Sequence, residues 1–317
     1  MAVDEFTLID RYFSVIGKAN ADTRLAVGDD AAVVALPQGR QLVVSLDTLI
    51  DGVHFGEEFT PADIAYKSLA VNLSDLAAMA ADPAWFLLSL SLPRAEEAWL
   101  SEFSAALKQT ADRFQVELIG GDTCRGSLAI TIQVGGHVPE DAYVTRAGAQ
   151  PGDLILVSGE IGNAALGLAH LQGGVDLPAE SQAACIRALK RPRPRLELIP
   201  FLREFARAAI DISDGLQADL GHILDASGCG ASLNRDLLPV NGWIRQSTAY
   251  RYALDGGDDY EICCCISTAH LADIEIWNRT NPDCRLTVIG EITESGYTLE
   301  AGKERLEMGR RGYRHFE

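Results

Sequence analysis

The chain has 317 residues, 47% of them hydrophobic and 23% charged, a globular composition that excludes disordered, collagen-like and disulfide-stapled proteins. Its 45 Asp+Glu outnumber 27 Lys+Arg, for a formal net charge of −18, so its surface repels nucleic acid and anionic lipid. Handling an anionic substrate would therefore require metal cations.

Asp4 is placed to cap a helix in which Phe6, Ile9, Phe13 and Ile16 recur at helical spacing until Gly17. Strand-like runs follow at 31–36 and 42–46. Thr60-Pro61-Ala62-Asp63 opens a helix, with a cap, a first-turn proline and an acid at the positive end of the dipole. That helix is apolar almost all round towards Met79, which predicts burial. A strand is predicted at 86–92, a helix at 96–114, and a strand at 128–138 entered after Gly120-Gly121. The turn-rich stretch 146–153 divides the chain into units 1–146 and 147–317. A second cycle holds a strand at 154–158 and a helix at 163–171. A basic, proline-rich loop at 190–195 then leads into a helix ending near Arg207. Strands at 208–212, 261–266 and 286–292 alternate with helices at 216–226 and 271–279, an α/β pattern.

No apolar run is long enough to span a bilayer. The start, Met1-Ala2-Val3-Asp4-Glu5-Phe6, lacks the basic and apolar regions of a signal peptide. The seven cysteines include no C-x-x-C pair, so a reducing, cytoplasmic setting is the expectation. Cys263, Cys264 and Cys265 fall in one apolar strand and read as small buried hydrophobes.

The acids recur in short motifs: Gly28-Asp29-Asp30, Ser45-Leu46-Asp47, Asn72-Leu73-Ser74-Asp75, Gly120-Gly121-Asp122, Asp211-Ile212-Ser213-Asp214 and Gly256-Gly257-Asp258-Asp259. Asp47, Asp122, Asp211 and Asp214 are expected at strand ends, where α/β proteins gather ligands. Two carboxylates about 4 Å apart repel by roughly 4 kcal/mol at an effective dielectric of 20, so convergence on one cleft requires cations. Oxygen-only ligands select Mg²⁺ or Ca²⁺ over zinc, and the scattered spacing suits Mg²⁺ shared with phosphates. Taken singly, each motif is also ordinary turn chemistry. Asp75, set in the apolar helix, needs either a metal or an internal cap, hydrogen bond or ion pair, with Lys67 among the candidates. Ser158-Gly159-Glu160-Ile161-Gly162-Asn163 is either a strand-to-helix turn or a set of backbone N–H groups offered to an anion. There is no Walker A sequence, G-x-G-x-x-G, kinase-type His-Arg-Asp or nucleophile elbow.

In order along the chain, several segments together resemble the thiamine-monophosphate kinases. They are Gly28-Asp29-Asp30, Asp47-Thr48-Leu49, His54-Phe55, KSLAVNLSDLAAMAA at 67–81 and Asp82-Pro83-Ala84-Trp85. Ile119-Gly120-Gly121-Asp122-Thr123, Asp211-Ile212-Ser213-Asp214-Gly215-Leu216, Gly256-Gly257-Asp258-Asp259-Tyr260-Glu261 and the closing Gly312-Tyr313-Arg314-His315-Phe316 complete the series. The resemblance implies an α/β (α+β), two-domain fold and a homodimer. Residues 1–146 would form an ATP/Mg-binding and dimerisation domain whose mixed sheet contributes to a barrel at the dimer interface. Residues 147–317 would form an α/β domain completing the active site. It implies several Mg²⁺ ions held by Asp30, Ser45, Leu46 (through its carbonyl), Asp47, Asp75, Asp122, Asp211 and Asp214. ATP would meet Gly121, Asp122, Arg146 and Ser213, and thiamine monophosphate His54, Asp258 and Tyr313. Read without the resemblance, His54 is a packed or solvated histidine, Arg146 a solvated arginine and Tyr313 a docked tail residue. Two positions depart from the family pattern: Leu46 stands where Thr is common, and Asp258 where Glu is usual.

The implied reaction is transfer of the ATP γ-phosphoryl group onto thiamine monophosphate. A phosphomonoester is already about −1.5 to −2 near neutral pH, so its oxygen needs no general base. In-line transfer without a phospho-enzyme is the expectation. Two other readings remain open: another ATP-using member of the superfamily, such as an aminoimidazole-ribonucleotide synthase, and a non-catalytic divalent-cation-binding protein. The first cysteine is Cys124 and the end is Arg314-His315-Phe316-Glu317, which favours the thiamine enzyme over the selenophosphate synthases and the hydrogenase-maturation relatives.

Overall fold

Helix α1 (Glu5–Phe13) buries Leu8 and Phe13 and is followed by Gly17 at φ +81°, where an added Cβ would stand 2.0 Å from the Val116 carbonyl oxygen. A computed structural model describes this chain over residues 5–309 and 311–313. The Asp4 cap and the tail residues Arg314, His315 and Phe316 lie outside the described residues. The chain divides into two units: residues up to Leu76 with Ala81–Ala142, and Ala77–Ala80 with residues from Tyr143 onward.

In the first unit a two-stranded antiparallel ribbon, β1 (Thr23–Leu25) and β2 (Val33–Val34), precedes the long strand β3 (Arg40–Ile50). Helix α2 (Pro61–Ala78) starts on a reciprocal cap: Asp63 N–H donates to Thr60 Oγ1 at 3.1 Å, and Thr60 N–H to Asp63 Oδ2 at 3.3 Å. As predicted, α2 is buried almost all round. Strand β4 (Asp82–Leu92), helix α3 (Glu97–Phe114), strand β5 (Glu117–Arg125) and strand β6 (Ala129–Pro139) complete a four-stranded sheet of order β3-β6-β4-β5. Only β4 and β5 run parallel, so the sheet is mixed. Phe86, Leu88, Leu90, Ile130, Ile132 and Val134 fill one face. Leu42, Val44, Leu46 and Ile50 alternate along β3 and remain 40–56% exposed.

Two expectations change here. Strand β5 runs through Gly120-Gly121, whose missing side chains conceal a strand pattern. Asp47 and Asp122 therefore sit within strands rather than at their ends.

The second unit opens with β7 (Leu154–Ser158), α4 (Asn163–Leu171), α5 (Ala179–Lys190), α6 (Ile199–Phe205), β8 (Ala206–Ile212) and α7 (Leu216–Ser227). It continues with β9 (Gly230–Asn234), α8 (Gly242–Ser247), α9 (Arg251–Leu254), β10 (Glu261–Ile266), α10 (Leu271–Thr280), β11 (Leu286–Thr293), β12 (Tyr297–Ala301) and β13 (Glu304–Glu307). The seven strands form one sheet of order β13-β12-β9-β11-β7-β10-β8, in which only β12 and β9 pair in parallel. Both faces are covered. Cys263 and Cys265 join the apolar cluster of α4, α5 and α7, while Cys264 joins that of α6 and α10. A strand buried on both sides reads as a continuous apolar run. The seven cysteines are free thiols, of which Cys124 is exposed and Cys229 half-buried. Helices α5, α8 and α9 and strands β9, β12 and β13 have no counterpart in the sequence reading. Among the described residues no helix is long and apolar enough to cross a membrane.

Phe86 in β4 has no exposed surface. Phe86→Ala is expected to cost about 3–5 kcal/mol by lost transfer energy and residual cavity, read as a lower urea midpoint at unchanged m-value.

Candidate active site

The predicted residues fall into three sets, two in the first unit and one in the second. Ser45 and Asp47, two apart on β3, leave the same face. Ser45 Oγ donates to Asp75 Oδ2 at 2.5 Å, and Asn72 Oδ1 accepts the Asp47 N–H at 3.0 Å. Asn72 and Asp75 are three apart on α2 and so share a helix face. Asn72 is fully buried and Asp75 half-buried. Asp75 thus has the hydrogen bond that its setting demanded. The Leu46 side chain leaves the opposite face and is 56% exposed.

Asp30, Gly121 and Asp122 line a cleft of about 360 Å³ whose apolar wall includes Phe13 and Leu88. The Asp30 N–H donates to Asp29 Oδ1 at 2.8 Å. At Gly121 an added Cβ would lie 1.9 Å from the Leu88 carbonyl oxygen, so only glycine lets β5 lie this close to β4. Across the sheet Asp47 shares a row with Ile132, Leu88 and Gly121, and Asp122 shares the next row with Ser89, Thr131 and Thr48. Neighbouring rows point to opposite faces, so the side chains of Asp47 and Asp122 leave the sheet on different sides.

In the second unit the loop after β8 gathers the remaining residues. Asp211 is buried near the end of β8. The Ser213 carbonyl accepts the Asp258 N–H at 2.8 Å, and the Asp214 carbonyl accepts the Tyr313 N–H at 3.0 Å. Asp258 (φ +71°) and Tyr260 (φ +52°) adopt the left-handed conformation, and the Tyr260 hydroxyl donates to Asp258 Oδ1 at 3.3 Å. Tyr313 is 48% exposed. Two predicted residues stand apart from the sets of their own units. His54 Nδ1 accepts the Ile50 N–H at 3.0 Å, and Arg146 is exposed, its carbonyl accepting the Ser227 hydroxyl at 3.3 Å.

Two buried acids brace this loop region. Asp219, in the first turn of α7, accepts the N–H groups of Asp214 and Gly215, each at 3.0 Å. Burial raises its pKa from 3.8 to about 7 despite those bonds. Asp259 accepts the N–H groups of Gly162 at 2.7 Å and Ala164 at 3.4 Å, and burial drives its pKa well above the usual range. The turn before α4 does present N–H groups, and the acceptor that takes them is the Asp259 carboxyl group of the same chain. Asn72 and Asp259 stand in the sequence motifs without a role of their own, and Asp219 stands in none. The available signals were Asn72 three residues before Asp75, and an acid in the first turn of α7.

The donors in all three sets are oxygens, a chemistry that fits a hard divalent cation. Among the described residues no three His, Cys, Asp or Glu side chains form a ready metal cage. Mg²⁺ does not need one, because one or two carboxylates, waters and substrate phosphates complete its shell.

Oxygen-lined sets on a mixed-sheet unit and, separately, on an α/β unit define the class. The chain belongs to the AIR synthase related family, whose N-terminal domain model matches residues 28–138 and whose C-terminal domain model matches 150–301. Within that class it is 42% identical over 325 residues to the thiamine-monophosphate kinase of Escherichia coli (strain K12), covering 100% of this chain and 99% of the relative. The crystal structure of thiamine-monophosphate kinase from Stenotrophomonas maltophilia K279a matches with a TM-score of 0.84 at 40% identity, covering 95% of this chain and 98% of that one. AaThiL complexed with AMPPCP and TMP matches with a TM-score of 0.75 at 28% identity, covering 98% and 97% of the two chains.

Because the folded state keeps on Asp219 a proton that the unfolded chain releases between about pH 4 and 7, stability falls as pH rises through that window. Asp219→Asn removes this titration. In EDTA, the urea midpoint of the parent protein is expected to drop more between pH 5 and pH 8 than that of the variant. Equal drops would show that Asp219 is ionised throughout.

Proposed function

We propose that this protein transfers the γ-phosphoryl group of ATP to thiamine monophosphate, giving thiamine diphosphate and ADP, the last step of thiamine diphosphate synthesis. The observation that carries the reading is full-length likeness to thiamine-monophosphate kinases, together with a relative that holds AMPPCP and TMP.

Asp30, Ser45, the Leu46 carbonyl, Asp47, Asp75, Asp122, Asp211 and Asp214 are the residues that would hold several Mg²⁺ ions. Bound there, Mg²⁺ supplies the positive charge that lets two polyanions approach and neutralises charge developing on the transferred group. The Ser45–Asp75 bond and the Asn72 contact fix where the donors of β3 and α2 stand. Gly121 leaves backbone open to the triphosphate, with Asp122, Arg146 and Ser213 as further ATP contacts. His54, Asp258 and Tyr313 are assigned to thiamine monophosphate. With Nδ1 accepting the Ile50 N–H, a neutral His54 carries its proton on Nε2. Asp258 is a methylene shorter than the usual Glu, and the Tyr260 hydroxyl steadies it. The acceptor phosphate is already ionised, so the chain needs only to orient two substrates in line, and no residue need carry the phosphoryl group.

The exposed apolar stripe Leu42, Val44, Leu46 and Ile50 on the edge strand β3 supports a homodimer formed through the N-terminal sheets. The absence of a membrane-crossing helix among the described residues and the seven free thiols accord with a cytoplasmic setting.

The direct test is to supply ATP, Mg²⁺ and thiamine monophosphate and look for thiamine diphosphate; no product, with the protein folded, would end the reading. Asp75→Asn and Asp122→Asn are each expected to lower kcat at least about 100-fold, the scale for losing a group that stabilises transition-state charge, with little change in melting temperature. Leu46→Asp is expected to shift the mass measured by light scattering from dimer to monomer. An unchanged dimer would move the interface elsewhere.

A further inference from the structure

Three segments far apart along the chain meet at the start of α7: the β8 loop at 213–215, the loop at 255–260, and the tail that follows β13. The Ser213 carbonyl accepts the Asp258 N–H at 2.8 Å, and the Asp214 carbonyl accepts the Tyr313 N–H at 3.0 Å. Two glycines make this approach possible. An added Cβ would stand 2.4 Å from the Ser213 carbonyl oxygen at Gly257, and 2.7 Å from the Asp214 carbonyl oxygen at Gly312. Both outer segments therefore rest directly on the β8 loop.

Gln217, in the first turn of α7, joins the outer segments to each other. It is 5% exposed, and a buried amide needs partners for both its nitrogen and its oxygen. Only one orientation of the amide supplies both. Its Nε2 donates to Asp255 Oδ1 at 2.9 Å, and its Oε1 accepts the Gly309 N–H at 2.7 Å. One side chain thus spans from the loop that carries Asp258 to the tail that carries Tyr313. Asp255 is half-buried, and burial raises its pKa while the positive charge of Arg311, also on the tail, opposes the rise. The tail reaches Asp255 twice, through the Gln217 amide and through the Arg311 charge.

The tail depends on such ties. Strand β13 is exposed along its whole length and lies at the edge of the sheet, and Gly309, Arg311 and Tyr313 are exposed as well. Terminal segments lose order unless they are fastened. A substrate that must order a loose segment binds more weakly than one that meets it already in place.

We propose that Gln217 is a positioning residue for thiamine monophosphate: its amide fastens the Asp258 loop to the Tyr313 tail, so that both contacts are set before that substrate arrives. This rests on the assignment of Asp258 and Tyr313 to thiamine monophosphate. Of the residues assigned to ATP only Ser213 adjoins the junction. The loop that carries it is held by the pairing of β8 with β10 and by Asp219, not by Gln217. Loss of the tie therefore weakens one substrate and spares the other.

Gln217→Met keeps the length of the side chain and removes both bonds. Amide hydrogen exchange of the whole protein is expected to show protection at Gly309 and Tyr313 falling about tenfold, the scale of a lost bond to a charged group. With each substrate varied in turn, KM for thiamine monophosphate is expected to rise about tenfold, with kcat and KM for ATP within about twofold of the parent. Gln217→Glu is expected to behave likewise, because it sets a second carboxylate against Asp255. Adding Asp255→Asn to it reverses donor and acceptor and is expected to restore the parent KM. Unchanged protection at Gly309 in Gln217→Met, an unchanged KM for thiamine monophosphate, or equal rises in both KM values with a lower melting temperature would each overturn the proposal. A parent protein that forms no thiamine diphosphate ends the functional reading instead, and the exchange result still decides whether the tie exists.

Discussion

Carboxylates that stand close together repel one another, and a fold that collects them must fix each one before any cation arrives. Here the fixing is done by dipoles of the chain itself. A serine hydroxyl holds Asp75 and an asparagine oxygen holds the backbone at Asp47. Two N–H groups at the start of α7 hold Asp219, and two at the start of α4 hold Asp259. Hydrogen bonds to a carboxylate lower the cost of burying it, though burial still dominates for the last two.

The same device decides which helix starts are open to ligands. The turn Ser158–Asn163 has the look of an anion cradle, yet its amides at Gly162 and Ala164 are already filled by Asp259. The chain thereby ties the start of α4 to the loop that enters β10.

Much of this architecture could be read from spacing alone. Apolar residues at helical intervals located α1, the Thr60-Pro61-Ala62-Asp63 start located α2, and the unbroken run at Cys263–Cys265 announced a strand covered on both faces. Glycine pairs hid β5, because a residue without a side chain carries no alternation. The short helices α8 and α9 offered too few turns for a period to emerge. For the candidate site, the motifs Ser45-Leu46-Asp47 and Asp211-Ile212-Ser213-Asp214 stood out because their own members lie within a few residues, whereas the bonds from Ser45 to Asp75 and from Asp47 to Asn72 span 30 and 25 residues and did not. Asp47 and Asp122 leaving opposite faces of one sheet was not legible, since strand register is a tertiary property. The roles of Asn72 and Asp219 were hidden for the same reason: their work is to hold other residues, which only the contacts disclose.

The uneven shielding of the thiols has a practical use. Cys263, Cys264 and Cys265 are sealed between two apolar layers, and burial raises the pKa of Cys264 to about 12, so thiolate chemistry there is suppressed. Cys124 is the exposed sulfur, on β5 two residues beyond Asp122. A maleimide dye or nitroxide would therefore label that position first, giving the native chain a built-in spectroscopic reporter beside its acidic cleft without any engineered cysteine.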